Sequence, residues 1–250
     1  MRTMMIKNTG FTLIELAIVL VIVGVLAGTF LSTLGSRIDT TRRVEATEEM
    51  EVIKQALYGY AMTQTNPHLP CPDCRSPICP SLGTNFANDG VEDRNGAVCD
   101  VGNFPGNIPW VTLGTGFGDP WNNRYSYWVS PEIVIDDLAT GFKLVTPITT
   151  ATIKTRIGVN TPDVSDKAVA VIMSQGKNGY GAVTTQNTAT SAVPAANIDE
   201  IDNRDGDAEF YSRAPTEAAA ATAGGEFDDI IVWISEYELK AKMVESGKLP

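Results

Sequence analysis

Residues 7–31 read Lys-Asn-Thr-Gly-Phe-Thr-Leu-Ile-Glu-Leu-Ala-Ile-Val-Leu-Val-Ile-Val-Gly-Val-Leu-Ala-Gly-Thr-Phe-Leu. From position 11 to position 34, 17 of 24 residues are hydrophobic. Setting them aside lowers the rest of the 250-residue chain from 43% to about 40% hydrophobic, so the average describes two different materials joined end to end. Residues 11–31 carry one charge, Glu15. As a helix rising about 1.5 Å per residue they reach about 31 Å, the thickness of a bilayer hydrocarbon core. A secretory signal would end in a small-residue cleavage site, for which Ala27-Gly28-Thr29 is the available match. Glu15 stands against that reading. A carboxylate at mid-membrane costs roughly 2.5–3.5 kcal/mol, less near the end of the span, so it has a task and calls for a cationic partner. Charge leaves the orientation open, with Arg2 and Lys7 before the helix and Arg37, Arg42 and Arg43 after it.

Outward from this stretch the helical pattern persists. Ala46, Met50, Ile53, Leu57 and Tyr60 recur at steps of three and four among Glu45, Glu48, Glu49, Glu51 and Lys54, and Pro is absent until Pro67. The spacing predicts one helix ending near Met62, apolar all round at first and amphipathic from residue 35 to 62. The remainder, 63–250, has the composition of a globular head. A net charge of −11 with no Lys/Arg run argues against nucleic acid as a partner. A single histidine, His68 in a Pro-rich loop, leaves little room for Ser-His-Asp chemistry or a His-rich zinc site, and the carboxylates form no recognisable catalytic motif. The chain reads as a non-enzyme.

Lys7-Asn8-Thr9-Gly10 followed by Phe11-Thr12-Leu13-Ile14-Glu15 resembles the prepilin peptidase site of type IV pilins and type II secretion pseudopilins. The resemblance implies cleavage between Gly10 and Phe11, which removes a leader of residues 1–10. It implies N-methylation of Phe11 and retention of residues 11–34 as a transmembrane and filament-core helix. It also fixes the orientation, an inner-membrane single-pass protein with its head in the periplasm, then part of a filament. Within it, Glu15 pairs with the Phe11 amine of a neighbouring subunit, and Thr12 and Glu15 set the axial register. Partners are prepilin peptidase, other pilin or pseudopilin subunits and the inner membrane. Many pilins carry a proline midway along this helix; here Ser32 stands at the matching position, with Gly24, Gly28 and Gly35 as the weak points. A head of nearly 190 residues is large for a subunit that packs repetitively, which favours a minor or tip role.

The head opens on Cys71, Cys74, Cys79 and Cys99. Zinc is available to a Cys-x-x-Cys pair, but the second pair is badly spaced for a ribbon, and an extracytoplasmic compartment favours disulfides. Three connectivities exist; Cys71–Cys99 with Cys74–Cys79 avoids closing a tight loop across Asp73. Strands are expected at 124–129, 143–145, 168–174 and 229–235, and a terminal helix from the capping box at Ser235 and Glu238, with Leu239, Met243 and Val244 inward and Gly247 as its stop. Helix first and antiparallel strands after make an α+β fold. Residues 182–196 and 214–225 read as exposed Ala/Thr-rich loops. Asp119-Pro-Trp-x-Asn-x-Tyr-x-Tyr resembles a segment of type II secretion major pseudopilins. With Leu69-Pro-Cys-Pro-Asp73, Pro109-Trp110-x-x-Leu-Gly114 and the ending Asp228-Asp229-Ile-Ile-Val-Trp233 it is similar to larger prepilin-type proteins of Gram-negative bacteria. Trp110, Trp121, Trp128 and Trp233 read as core, a glycan platform being the alternative. Oxygen donors cluster around glycine at Asp89 and Glu92 and at Asp202, Asp205 and Asp207. Solvated acidic turns explain both; calcium, which the resemblance also implies for pseudopilin heads, is the competing reading. A membrane-anchored periplasmic calcium- or glycan-binding module outside any filament is the rival function.

Overall fold

The computed structural model describes residues 12–75, 87–99, 105–137, 142–217 and 223–249, with the side chains of residues 27 and 29–36 left aside. Helix α1 runs unbroken from Leu13 to Thr63, through Gly24, Gly28, Ser32 and Gly35. The chain divides into two compact units, Met1–Thr41 and Arg42–Pro250.

In the second unit the predicted apolar stripe of α1 is the stripe that packs. Ala46, Met50, Ile53 and Leu57 are buried, joined by Tyr58 and Ala61, whereas Tyr60 is half-buried. They meet one face of a six-stranded mixed sheet. Its strands are β3 (Gly106–Asn107), β4 (Ser126–Val129), β5 (Ala151–Lys154), β6 (Asp163–Ser174), β7 (Glu209–Tyr211) and β8 (Ile230–Ser235). A separate two-stranded ribbon joins β1 (Arg94–Asn95) to β2 (Val98–Cys99). Strand β6 is the hub. Its second half pairs antiparallel with β4 and with β8, its first half with β5, and β5 pairs parallel with β7.

Side chains alternate across the pleat, and the sheet therefore has two apolar faces. Tyr127, Val129, Ala170, Ile172, Val232 and Ile234 share a core with α1, while Trp128, Val171, Met173 and Ile231 pack with Ala151, Ile153 and Phe210 on the other side. Short helices α2 (Trp110–Leu113) and α3 (Ile198–Asp202) lie in the connections. The terminal helix α4 (Glu236–Glu245) starts where expected, with Ser235 Oγ accepting the Glu238 N–H.

Three expectations differ. Residues 143–145 form a turn, not a strand, closed by the Thr146 N–H to the Lys143 carbonyl, and Val145 is 87% exposed; the strand of this region is β5. Val244 faces solvent, and Leu249 is buried in its place, because Gly247 at φ +69° turns the chain back and the N–H groups of Lys248 and Leu249 both reach the Met243 carbonyl. The 182–196 stretch starts packed, with Ala182 and Val183 buried.

A Cys71–Cys99 disulfide ties the segment after α1 to β2, 28 residues on, and Cys74 is disulfide-bonded as well; Cys79 lies outside the described residues. Loop-closure entropy for that separation is about 3.5 kcal/mol. Cys71→Ser is therefore expected to lower stability by about 3 kcal/mol in denaturant titration. A loss under 1 kcal/mol would mean that the bridge closes nothing the fold does not already hold.

Candidate functional site

Two features stand out chemically, the start of α1 and an acidic cluster in the head. At the start of α1, Thr12 and Glu15 hold one another. The Thr12 N–H and hydroxyl both donate to Glu15 Oε2 at 2.9 Å, and the Glu15 N–H donates to Thr12 Oγ1 at 3.3 Å. This reciprocal capping box satisfies donors that a helix start otherwise leaves open, and it sets a negative charge at the positive end of the helix dipole. The Thr12-x-x-Glu15 spacing that makes this box is legible in the sequence. Thus Glu15 has local partners within its own chain. Gly10 and Phe11 lie outside the described residues. Among the described residues no helix is long and apolar enough to cross a membrane, and the side chains of the apolar run that opens α1 are described from Leu13 to Leu26.

In the head, the sequence-nominated acidic loops are engaged locally. Glu92 accepts the Tyr60 hydroxyl at 2.7 Å, the Cys71 N–H at 3.1 Å and Arg94 Nε at 2.8 Å. Asp89 caps its own turn through the Val91 N–H, as Asp205 does for Asp207 and Asp207 for Glu209. Asp202 is half-buried, and burial with the charges of Asp205 and Asp207 pushes its carboxyl up to about 6.

The carboxylates that do converge among the described residues are Glu200, Asp228 and Asp229, each offering an oxygen within 4.8 Å of the others. Glu200 comes from α3, and Asp228 and Asp229 immediately precede β8. Amides line the cluster. Glu200 accepts Asn178 Nδ2 and Asn197 Nδ2, Asp228 accepts the Asn178 N–H, and Asp229 accepts Asn203 Nδ2. Burial pushes all three carboxyls up, Asp228 to about 6, and the Glu200 charge raises both aspartates further. Asp228 Oδ1 is buried without a hydrogen-bond partner. Three clustered carboxylate oxygens, one of them orphaned, fit the donor set of a hard divalent cation such as calcium. Sequence reading missed this grouping because its members lie nearly thirty positions apart and meet through the sheet.

The aromatic alternative fares differently. Trp128 is buried and the other three tryptophans are half-buried. The Trp110 ring carries the Arg124 guanidinium 4.0 Å from its centroid, which covers a face that a sugar would need. His68 is buried, its Nδ1 2.7 Å from the Asn66 carbonyl and its ring edge-on to Tyr60. It is a structural histidine.

Residues 5–31 match the model of the prokaryotic N-terminal methylation motif. The chain carries the type IV pilin and pseudopilin signature. That signature suggests a structural subunit rather than an enzyme, anchored in a membrane and then placed in a filament, with prepilin peptidase and other pilin-type subunits as its general partners. Comparison with curated proteins and with solved structures finds no match.

Proposed function

We propose that the protein is a structural subunit of a type IV pilus or type II secretion pseudopilus. Prepilin peptidase cuts it after Gly10, Phe11 is N-methylated, and residues 11–34 anchor it in the inner membrane with the head in the periplasm until assembly. The observation that carries this reading is the methylation motif at residues 5–31, running directly into the 51-residue α1. In the assembled state Glu15 trades its Thr12 hydrogen bonds for the Phe11 amine of a neighbour, a charge pair strengthened by low dielectric surroundings. The size of the head favours a minor or tip position. Intact-mass measurement of the purified protein tests the processing step. Loss of residues 1–10 with gain of one methyl is expected; a retained leader, or a cut after Ala27, overturns it.

The acidic cluster supports a second element, calcium held by Glu200, Asp228 and Asp229. Each carboxyl is raised in the folded state, Asp228 to about 6, so as pH rises from the ordinary carboxylate range to that value the native protein binds more protons than the unfolded chain and metal-free stability falls. Calcium competes with those protons. Its stabilising effect on the melting temperature is expected at pH 7.5 and is expected to fade by pH 5, and Asp229→Asn should remove it. An equal melting temperature in calcium and in chelator at pH 7.5 would reject the site.

A further inference from the structure

Beside the disulfide-tied segment, on the sheet face turned away from α1, five polar side chains converge with their bonding incomplete. Asp73 bridges to Asn107, Asn107 pairs with Ser126, and Ser126 pairs with Met173, so one row of directly opposed residues crosses the sheet with its side chains on a common face. Arg75, two positions beyond Asp73 along the chain, donates its Nη1 to Ser126 Oγ at 3.0 Å, and Gln175 donates its Nε2 to the same oxygen. Asp73, Asn107, Ser126 and Gln175 are all within 1% of full burial.

Local partners use only part of this capacity. Asn107 Nδ2 donates to Asp73 Oδ2 and Asn88 Oδ1. Among the described residues that leaves Asp73 Oδ1, Asn107 Oδ1 and Gln175 Oε1 as buried acceptors without donors, and Arg75 Nε and Nη2 as buried donors without acceptors. Ser126 Oγ, already accepting twice, still has its own proton to give. Buried groups in this condition cost about 1–3 kcal/mol each, more where charged, so a native fold supplies them with partners.

The mixture identifies the partner. Three acceptor oxygens repel an anion, the guanidinium repels a cation, and an apolar occupant satisfies none of them. Water both donates and accepts. We propose that Asp73, Arg75, Asn107, Ser126 and Gln175 form an internal water-binding site. A buried water makes about three hydrogen bonds, so the six unmet bonding positions call for two molecules. These waters lie between the Asp73 carboxyl, which burial pushes up to about 7, and the Arg75 guanidinium, which burial pushes down, and they solvate both.

Met173 is the built-in reporter. It lies next to Ser126 in register and is 1% exposed, whereas Met50 and Met243 are 0% exposed in the opposite core. X-ray radiolysis of the full chain in detergent, read by peptide mass spectrometry, generates hydroxyl radicals from bound water as well as bulk water. Met173 is expected to oxidise severalfold faster than Met50 and Met243, and the Asn107→Leu/Gln175→Leu double variant, which fills the site with apolar groups, is expected to bring it down to their rate. Oxidation of Met173 in the parent protein as slow as that of Met50 and Met243 overturns the proposal, whether or not the variant folds. So does a crystal structure with Asp73 and Arg75 in direct contact and no water between them.

Discussion

Glu15→Gln is expected to start α1 normally and to fail in the filament. Glutamine accepts and donates at the same place in a capping box, so the Thr12–residue 15 pairing survives, whereas Glu15→Ala removes it at a cost of about 1 kcal/mol to the helix start. Neither variant can neutralise a neighbour's Phe11 amine. Leaving one member of a low-dielectric ion pair alone costs about 3–5 kcal/mol, on the order of a hundredfold to several thousandfold in the subunit contact. Both variants should therefore insert in the membrane and lose their leader, and both should be nearly absent from sheared filaments scored by immunoblot. Filament incorporation of Glu15→Gln at the parental level would reduce Glu15 to a capping residue and remove the charge-registry argument.

Asp199→Ala is expected to have the largest effect on the head. The Asp199 side chain is completely buried in α3 and binds two arginines: Arg156 through Nε at 2.8 Å and Nη2 at 2.5 Å, and Arg213 through Nε at 2.7 Å. The carboxylate holds the Arg156 guanidinium above its ordinary range, chiefly through those hydrogen bonds. Each guanidinium also lies over an aromatic ring, Arg156 on Tyr211 and Arg213 on Phe227, so neither can swing out to water without giving up a packed contact. Gly224, at φ +83°, is tied to the same point, since a Cβ there would stand 2.2 Å from Asp199 Oδ2. Removing the acid leaves two cations half-buried and unpaired, about 3–5 kcal/mol. For a head of this size that is a fall of roughly 6–20 °C in melting temperature. A fall under 3 °C would show that the arginines find other acceptors. Because Asp199 also fixes α3, and α3 carries Glu200, the same variant should weaken any calcium response.

The elements that could be read from the sequence are those whose signal is local. Residues 46–57 repeat with the helical period, Ser235 and Glu238 declare a helix start, and 168–174 and 229–235 are apolar runs long enough to be strands, as β6 and β8 are. Strands β3 and β7 have two and three residues, and β5 alternates over only four; such segments become strands because β4, β5 and β6 present open edges to β3, β7 and β5 respectively, which no local pattern records. Lys143, Leu144 and Val145 failed as a strand for the complementary reason, an apolar run with no edge to join. The candidate site divides in the same way. The proposed leader junction and Glu15 lie within six consecutive residues, whereas Glu200 meets Asp228 and Asp229 only after α3 and the lead-in to β8 have been placed.

Strand β8 and helix α4 contribute Val232, Ile234, Leu239, Met243 and Leu249 to the same core that receives Met50, Ile53 and Leu57 from α1. Some 175 positions separate Leu57 from Val232, and contacts of such long range form late and slowly. In the proposed delivery across a membrane from the N-terminal side, α1 emerges well before residues 230–249. Until those final residues arrive, the apolar stripe of α1 has no complete surface to close against. The core of the head is thus closed by β8 and α4, and a chain released before them would carry α1 with an open core.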